Sequence, residues 1–270
     1  ARGFLFGATA GRTTLNGEGL QHEDGHSLIL ANTIPNCKSF DPAYNFELAV
    51  IIQDGMRRMY KEGENCFYYV TTMNENYVHH AMPEGAEEGI IKGMYKLKAG
   101  TTKKKTRVQL MGGGAILREV EAAADILRDD FDVESDIWSL TSVNELTRQG
   151  QHIHRHNTLH PEDSPKKAYI TECLEDAEGP VIAATDYMKA YAEQLRAFIP
   201  APSYTVLGTD GFGRSDTRSK LRHFFEVNRH FIVVAALKAL ADEGAIKPAV
   251  VSKAIKDFGL DATKPDPMTL

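Results

Sequence analysis

The hydrophobic pattern along this chain switches repeatedly between a strand period and a helix period. Cys66 to Thr72 (CFYYVTT) is aromatic and β-branched, which predicts a strand. Thr33 to Phe40 reads as a short extended segment ending at Asp41-Pro42, where Asp41 is placed to cap a helix. That helix carries Phe46, Val50 and Met56 to Met59 on one face, with Leu48, Ile51 and Ile52 beside it. The order β-α-β predicts a parallel sheet covered by helices. By contrast, Gly7 to Asp24 is rich in Gly and Thr and poor in apolar residues, and reads as an ordered loop.

Met82-Pro83-Glu84-Gly85 interrupts the pattern, and a turn-prone, lysine-rich stretch follows at Ala99 to Lys105. A domain boundary is expected near here, with Lys103 to Lys105 as a solvated hairpin tip. The rhythm then resumes. Strands are predicted at Arg107 to Met111, Ile137 to Thr141, Val181 to Ala184 and Tyr204 to Leu207. Helices are predicted from Ala115 to about Arg128, from Ser142, and from about Asp186 to Phe198. Three more follow at Thr217 to Val227, Arg229 to Ala241 and Ala249 to Phe258. Four strands alternating with helices make a second α/β unit.

Composition narrows the function class. The 270 residues are 42% hydrophobic and 25% charged, the profile of a globular protein. A net charge of −6 argues against general nucleic-acid binding. The longest apolar run, Phe231 to Leu237, is too short to span a membrane. Cys37, Cys66 and Cys173 are odd in number and widely spaced. They read as packed thiols of a reducing compartment, not as a disulfide framework or zinc site. The chain opens at Ala1 without a Met and runs straight into patterned sequence, so a piece of a longer protein is expected.

Three constellations are candidates for chemistry. The turn Gly112-Gly113-Gly114 lies between a strand and a helix, but Leu117 replaces the third glycine of a dinucleotide fingerprint, and a structural turn is expected. The same holds for Gly208 to Gly213, with Ser215 or Asp216 capping the next helix. His152, His154, His156 and His160 include i,i+4 pairs that can bind metal, yet no familiar ligand set completes them. A surface role is expected and no metal site is assigned. The sharpest candidate is GRTTLNGEGLQHEDGHS, Gly11 to Ser27. Here Glu18 and His22 stand four apart between glycines, a carboxylate beside an imidazole that titrates near neutrality. Chemistry alone leaves open a loop that only satisfies its own hydrogen bonds.

That run, with IPNCKSFDPAY, NENY (Asn74 to Tyr77), AMPEGAEEGI (Ala81 to Ile90) and LGTDGFGRSD (Leu207 to Asp216), closely resembles the homodimeric, thiamine-dependent pyruvate dehydrogenases of the transketolase-like superfamily. The resemblance runs the length of the chain. It implies that residues 1–85 are the second half of a pyrimidine-binding domain and residues 86–270 a transketolase-like C-terminal domain. His22 matches the family's active-site histidine and Glu18 a neighbouring glutamate, so both are expected to be catalytic. The implied cofactors are thiamine diphosphate and magnesium. Their main binding residues, the G-D-G…N-N motif and the glutamate facing the aminopyrimidine, are expected upstream of Ala1. The implied partners are a second subunit, a lipoylated acetyltransferase core and pyruvate, in the cytoplasm. The isolated chain is expected to be inactive, with Gly11 to Ser27 mobile. A transketolase, a 2-oxoglutarate dehydrogenase or a non-catalytic dimerisation and docking module are the alternatives.

Overall fold

The computed structural model describes residues 1–8, 10–101 and 106–270. The expected hairpin tip Lys103 to Lys105 lies outside the described residues. Two sheets carry the fold. The first is parallel, in the order β1 (Phe4–Ala8), β3 (Phe67–Thr72), β2 (Cys37–Phe40). The second has the order β4 (Met94–Lys98), β6 (Glu134–Leu140), β5 (Arg107–Gly112), β7 (Val181–Ala184), β8 (Tyr204–Leu207). It is parallel except for β4, which pairs antiparallel with β6 at the edge.

The helices are α1 (Ser27–Asn32), α2 (Asn45–Met56), α3 (Glu87–Lys92), α4 (Leu117–Phe131), α5 (Val143–Leu159), α6 (Tyr169–Leu174), α7 (Lys189–Glu193), α8 (Arg218–Phe224), α9 (Arg229–Asp242) and α10 (Pro248–Asp257). Both faces of the second sheet are covered. Leu110, Ile137 and Ile182 pack with Val120 and Leu127 of α4 and Ile232 and Leu237 of α9. Met111, Trp138 and Ala183 pack with Leu146 of α5 and Tyr191 of α7. A parallel sheet covered on both faces explains its nearly continuous apolar strands.

Several expectations are corrected. Gly7 belongs to β1, not to a loop, and a Cβ there would collide with the Tyr69 ring. The second sheet has five strands: the alternation of β4 is masked by Lys96 and Lys98, which suit an exposed edge. The Asp186 to Phe198 helix shrinks to α7 and a 3₁₀ turn at Arg196–Phe198, with Asp186 buried ahead of them. Asp41 does not cap α2. Tyr44 holds that position, and the Glu47 carboxylate accepts from its N–H at 3.0 Å. The buried side of α2 is Glu47, Ile51, Asp54 and Gly55, whereas Met56 is exposed. Glu47 is satisfied by the hydroxyls of Tyr95 and Ser139, each at 2.6 Å, and Asp54 by that of Tyr68 at 2.7 Å. Buried carboxylates paired in this way read as polar in a sequence although they belong to the interior. Neither Ser215 nor Asp216 caps α8. Its N-cap is Thr217, and the Asn16 side chain accepts from the Arg218 N–H at 3.3 Å.

Candidate functional site

In a doubly wound sheet the strand order reverses at one point, and the crevice beyond the carboxyl ends of the strands there receives ligands. Here that crevice lies beyond β5 and β7, and other segments of this chain fill it. Asp41, at the end of β2, enters from the first sheet. Its N–H donates to Thr141 O at 2.8 Å and its carbonyl accepts from Gly114 N at 3.2 Å. Its carboxylate accepts from Thr71 Oγ1 at 2.6 Å and from the Tyr187 hydroxyl at 3.4 Å. The glycine turn is therefore structural, as expected. A Cβ on Gly114 would lie 2.7 Å from both Asp41 oxygens, and Gly114 has φ +48°.

The segment Ala10 to Leu15 fills the rest. Arg12 N donates to Asp186 O, and Thr13 N donates to both Asp186 carboxylate oxygens at 3.2 Å. Arg222 Nε donates to Thr13 Oγ1 at 3.2 Å and Arg218 Nε to Thr14 O at 2.6 Å. Residues Ala10 to Leu15 are buried, which corrects the picture of a loop held loosely along its whole length. Gly11 takes φ +92°, which favours glycine, and a side chain there would also strike the Asp186 carboxylate.

The polypeptide then emerges. Leu20–His22 forms a 3₁₀ turn in which His22 N donates to Gly19 O at 3.1 Å. The structure brings the two predicted residues together: His22 Nε2 stands 3.9 Å from Glu18 Oε2, with the side chains 54% and 52% exposed. An exposed pair at this distance contributes little to stability. The turn thus presents a carboxylate and an imidazole outward from a buried base.

Sequence reasoning missed the titratable groups beneath the turn. Glu23 is buried and its carboxyl is pushed up to about 7, by burial first and then by Asp186. Burial also raises Asp41 to about 7, against the hydrogen bond from Thr71. Asp186 is raised to about 7 by burial, against the pull of Arg222. The one available signal was position: Asp41 and Asp186 each follow a strand that ends at the crevice.

The other candidates are elsewhere. His152 and His154 are exposed on α5, and the rings of His156 and His160 stack with centroids 4.2 Å apart. Among the described residues no group of three His, Cys, Asp or Glu side chains is placed to hold a metal ion. No helix among them is long and apolar enough to cross a membrane. Cys37 and Cys66 are buried free thiols, and Cys173 is half-buried.

Comparison with known proteins places these features in a family. The model of the pyruvate dehydrogenase E1 component middle domain matches residues 1–80. That of the transketolase-like TK C-terminal domain matches residues 93–228, half of the chain. The pyruvate dehydrogenase E1 component of Pseudomonas aeruginosa is 61% identical over 268 residues, and that of Escherichia coli K12 is 58% identical over 268. Each match covers 99% of this chain, which spans about 30% of the length of either relative. Among solved structures, a transketolase from Campylobacter jejuni aligns with a TM-score of 0.63 at 18% identity, over 87% of this chain and 31% of that one. A split-gene transketolase solved as an inactive β4 tetramer aligns with a TM-score of 0.56 at 17% identity, over 88% of this chain and 67% of that one. At these identities the structural likeness establishes the fold, which is transketolase-like α/β.

Proposed function

The chain belongs to the transketolase-like family, and from that premise we propose that it is the carboxy-terminal part of a pyruvate dehydrogenase E1 component. Residues 1–85 are then the second half of the pyrimidine-binding domain, and residues 86–270 the C-terminal domain. The reaction is oxidative decarboxylation of pyruvate, with the acetyl group passed to a lipoyl group on an acetyltransferase core. The observation that carries this reading is the turn at Glu18 and His22: two titratable side chains turned outward from a rigid, buried base, in the stretch where the E1 relatives match this chain.

The side chains fit one edge of a thiamine diphosphate site. His22 and Glu18 face out and are not consumed by buried contacts. The magnesium–diphosphate end has no counterpart among the described residues, and we assign it, with the second subunit of a homodimer, to the rest of the protein. When bound, thiamine diphosphate supplies the electron sink for loss of carbon dioxide. His22 Nε2 would donate a hydrogen bond to the pyruvate oxygen where charge develops, and the imidazole would carry a proton to or from the reacting group during acetyl transfer. Glu18 orients the imidazole. The buried base beneath them keeps both in register, since a loosely held donor loses most of its value.

The test uses full-length protein. His22→Ala is expected to cut turnover of pyruvate by about a hundredfold, the scale of one positioned acid–base or oxyanion group. Changing His152, His154 and His156 together is expected to leave activity within about threefold, the small effect of substitutions away from the site. Equal losses would refute the assignment of His22. The 270-residue chain alone, supplied with thiamine diphosphate and magnesium, is expected to release no carbon dioxide from pyruvate. A panel of 2-oxo acids and ketose phosphates on full-length protein separates pyruvate dehydrogenase from 2-oxoglutarate dehydrogenase and transketolase.

A further inference from the structure

Glu23 follows His22 directly, yet its environment is the opposite. The residue is 8% exposed, and neither carboxylate oxygen has a hydrogen-bond partner among the described residues. A buried carboxyl without partners is costly, so its retention calls for a physical reason. Three segments meet around it. Gly213, in the connection from β8 to α8, lies against it so closely that a Cβ there would collide with Glu23 Cβ. Arg12, in the crevice-filling segment, donates through Nη1 to Gly211 O in the same connection. Its Nη2 stands 3.4 Å from His26 Nε2, and its buried Nε has no partner among the described residues. Behind Glu23, Met188 N donates to Gly25 O at 3.1 Å. Gly213 thus packs on the stem of Glu23, Arg12 ties the crevice-filling segment to the same connection at Gly211, and the chain running on from His22 is pinned at Gly25.

We propose that Glu23 is the positioning residue of the Glu18–His22 turn: as an uncharged carboxyl it seats the turn on the Gly211–Gly213 connection, and its ionisation releases the turn. The charges around it agree. Burial, Asp186 behind β7 and Glu18 on the turn itself all favour the protonated acid, and Arg12 opposes them. Arg12 is itself shared: burial lowers it, and Asp210, Asp24 and Asp186 attract it as well as Glu23. Arg214, next to Gly213, is turned away over the Phe224 ring. The balance leaves the acid form dominant below about pH 7 and the carboxylate above it. A negative charge there faces Asp186 and Glu18 with no hydrogen bond to hold it, and the turn is the exposed part that can move.

The consequence for catalysis rests on the proposed role of His22, but the seating of the turn does not, and the test reads the turn itself. Chymotrypsin cuts after Leu20, in the turn, and after Phe212, in the connection; both side chains are exposed. Cleavage of the 270-residue chain at these two bonds is followed by mass spectrometry at pH 6 and pH 8.5, each rate divided by that of a short peptide with the same bond. For the wild-type chain the normalised rate after Leu20 is expected to rise about tenfold between the two values, the signature of local opening. Glu23→Gln, a neutral isostere, is expected to stay slow at both. Gly213→Ala, which crowds Glu23 from the other side, is expected to be fast at both, as is Glu23→Ala. A wild-type rate that does not change with pH, a Glu23→Gln chain that cleaves like Glu23→Ala, or a Gly213→Ala chain that cleaves like wild type at pH 6 would each overturn the proposal. The Gln variant and the pH comparison decide the matter even where Glu23→Ala unfolds. No outcome depends on turnover, so failure here leaves the assignment of His22 standing, and the reverse.

Discussion

At the scale of single residues, the carboxyls buried at the crevice govern how stability follows pH. Asp41 and Asp186 are fully enclosed and both are raised from 3.8 to about 7. Below the ordinary Asp range the acid is protonated whether folded or unfolded, and the favourable arrangement is fully present. As pH rises toward 7, the unfolded chain ionises freely while the folded one must hold its proton, so stability is lost through that window. The slope reaches up to about 1.4 kcal/mol per pH unit for each group. Glu75, Glu119 and Asp136 act in the opposite sense. Their folded values are lowered against the cost of burial, by Arg222 and Arg118, by Arg229, and by Gly100 N–H with Lys96, respectively. Their contribution is lost as pH falls below the usual carboxylate range. Urea unfolding is therefore expected to give greatest stability near pH 5 and a decline toward pH 8, with Asp186→Asn flattening the decline. A stability that rises from pH 5 to pH 8 would contradict this. None of it was legible in the sequence. An aspartate after a strand looks the same whether it faces water or a crossing chain, and the crossing is a property of the whole fold.

At the scale of elements, legibility followed the strength of the local pattern. β3, β5, β7 and β8 were readable because a buried parallel strand is largely a run of apolar residues between turns, whereas only the second half of β6 was, its first three residues Glu134 to Asp136 being polar although buried. β1 was hidden because its glycine lies under the Tyr69 ring, and β4 because an edge strand carries lysines. α1, α3 and α6 have six residues each, too few for a helical period to show. The turn after β5 was readable as structural, although not its reason, which is the Asp41 carboxylate. That reason gives a contrast between glycines. At Gly114 an added methyl meets both Asp41 oxygens in a left-handed conformation, whereas Gly17, at φ +77°, has open space. Gly17→Ala is expected to cost about 1 kcal/mol from backbone conformation alone. Gly114→Ala is expected to cost about 3 kcal/mol, since it also displaces a buried hydrogen-bonded group. Equal midpoint shifts in urea would show that the Asp41 contact carries no weight.

At the scale of the whole molecule, the outward turn and its base belong to different halves of the chain. Spacing singled out Glu18 and His22 and the resemblance gave them a role, but nothing local announced that Asp186, Arg218 and Arg222, far along the chain, would hold the segment before them. The interior is shared in the same way. Ala43 and Tyr44 sit in the cluster formed by α4 and α9, and Ala10 and Leu28 sit in the cluster formed by α5 and α7. Removing residues 1–85 would strip both clusters and leave Arg222 without Glu75, a pair in which the guanidinium is almost fully buried. With the interior shared in this way, the two sheets should unfold together. Trp138 reports on the second sheet and the buried Cys66 thiol on the first. In equilibrium urea unfolding, Trp138 fluorescence and labelling of Cys66 are expected to share one midpoint, the mark of a single cooperative transition. A chain of residues 86–270 is expected to show the Trp138 transition at lower urea. Labelling of Cys66 well before the Trp138 change, with the truncated chain keeping the full midpoint, would mean instead that the shared clusters are contacts between two independently stable units.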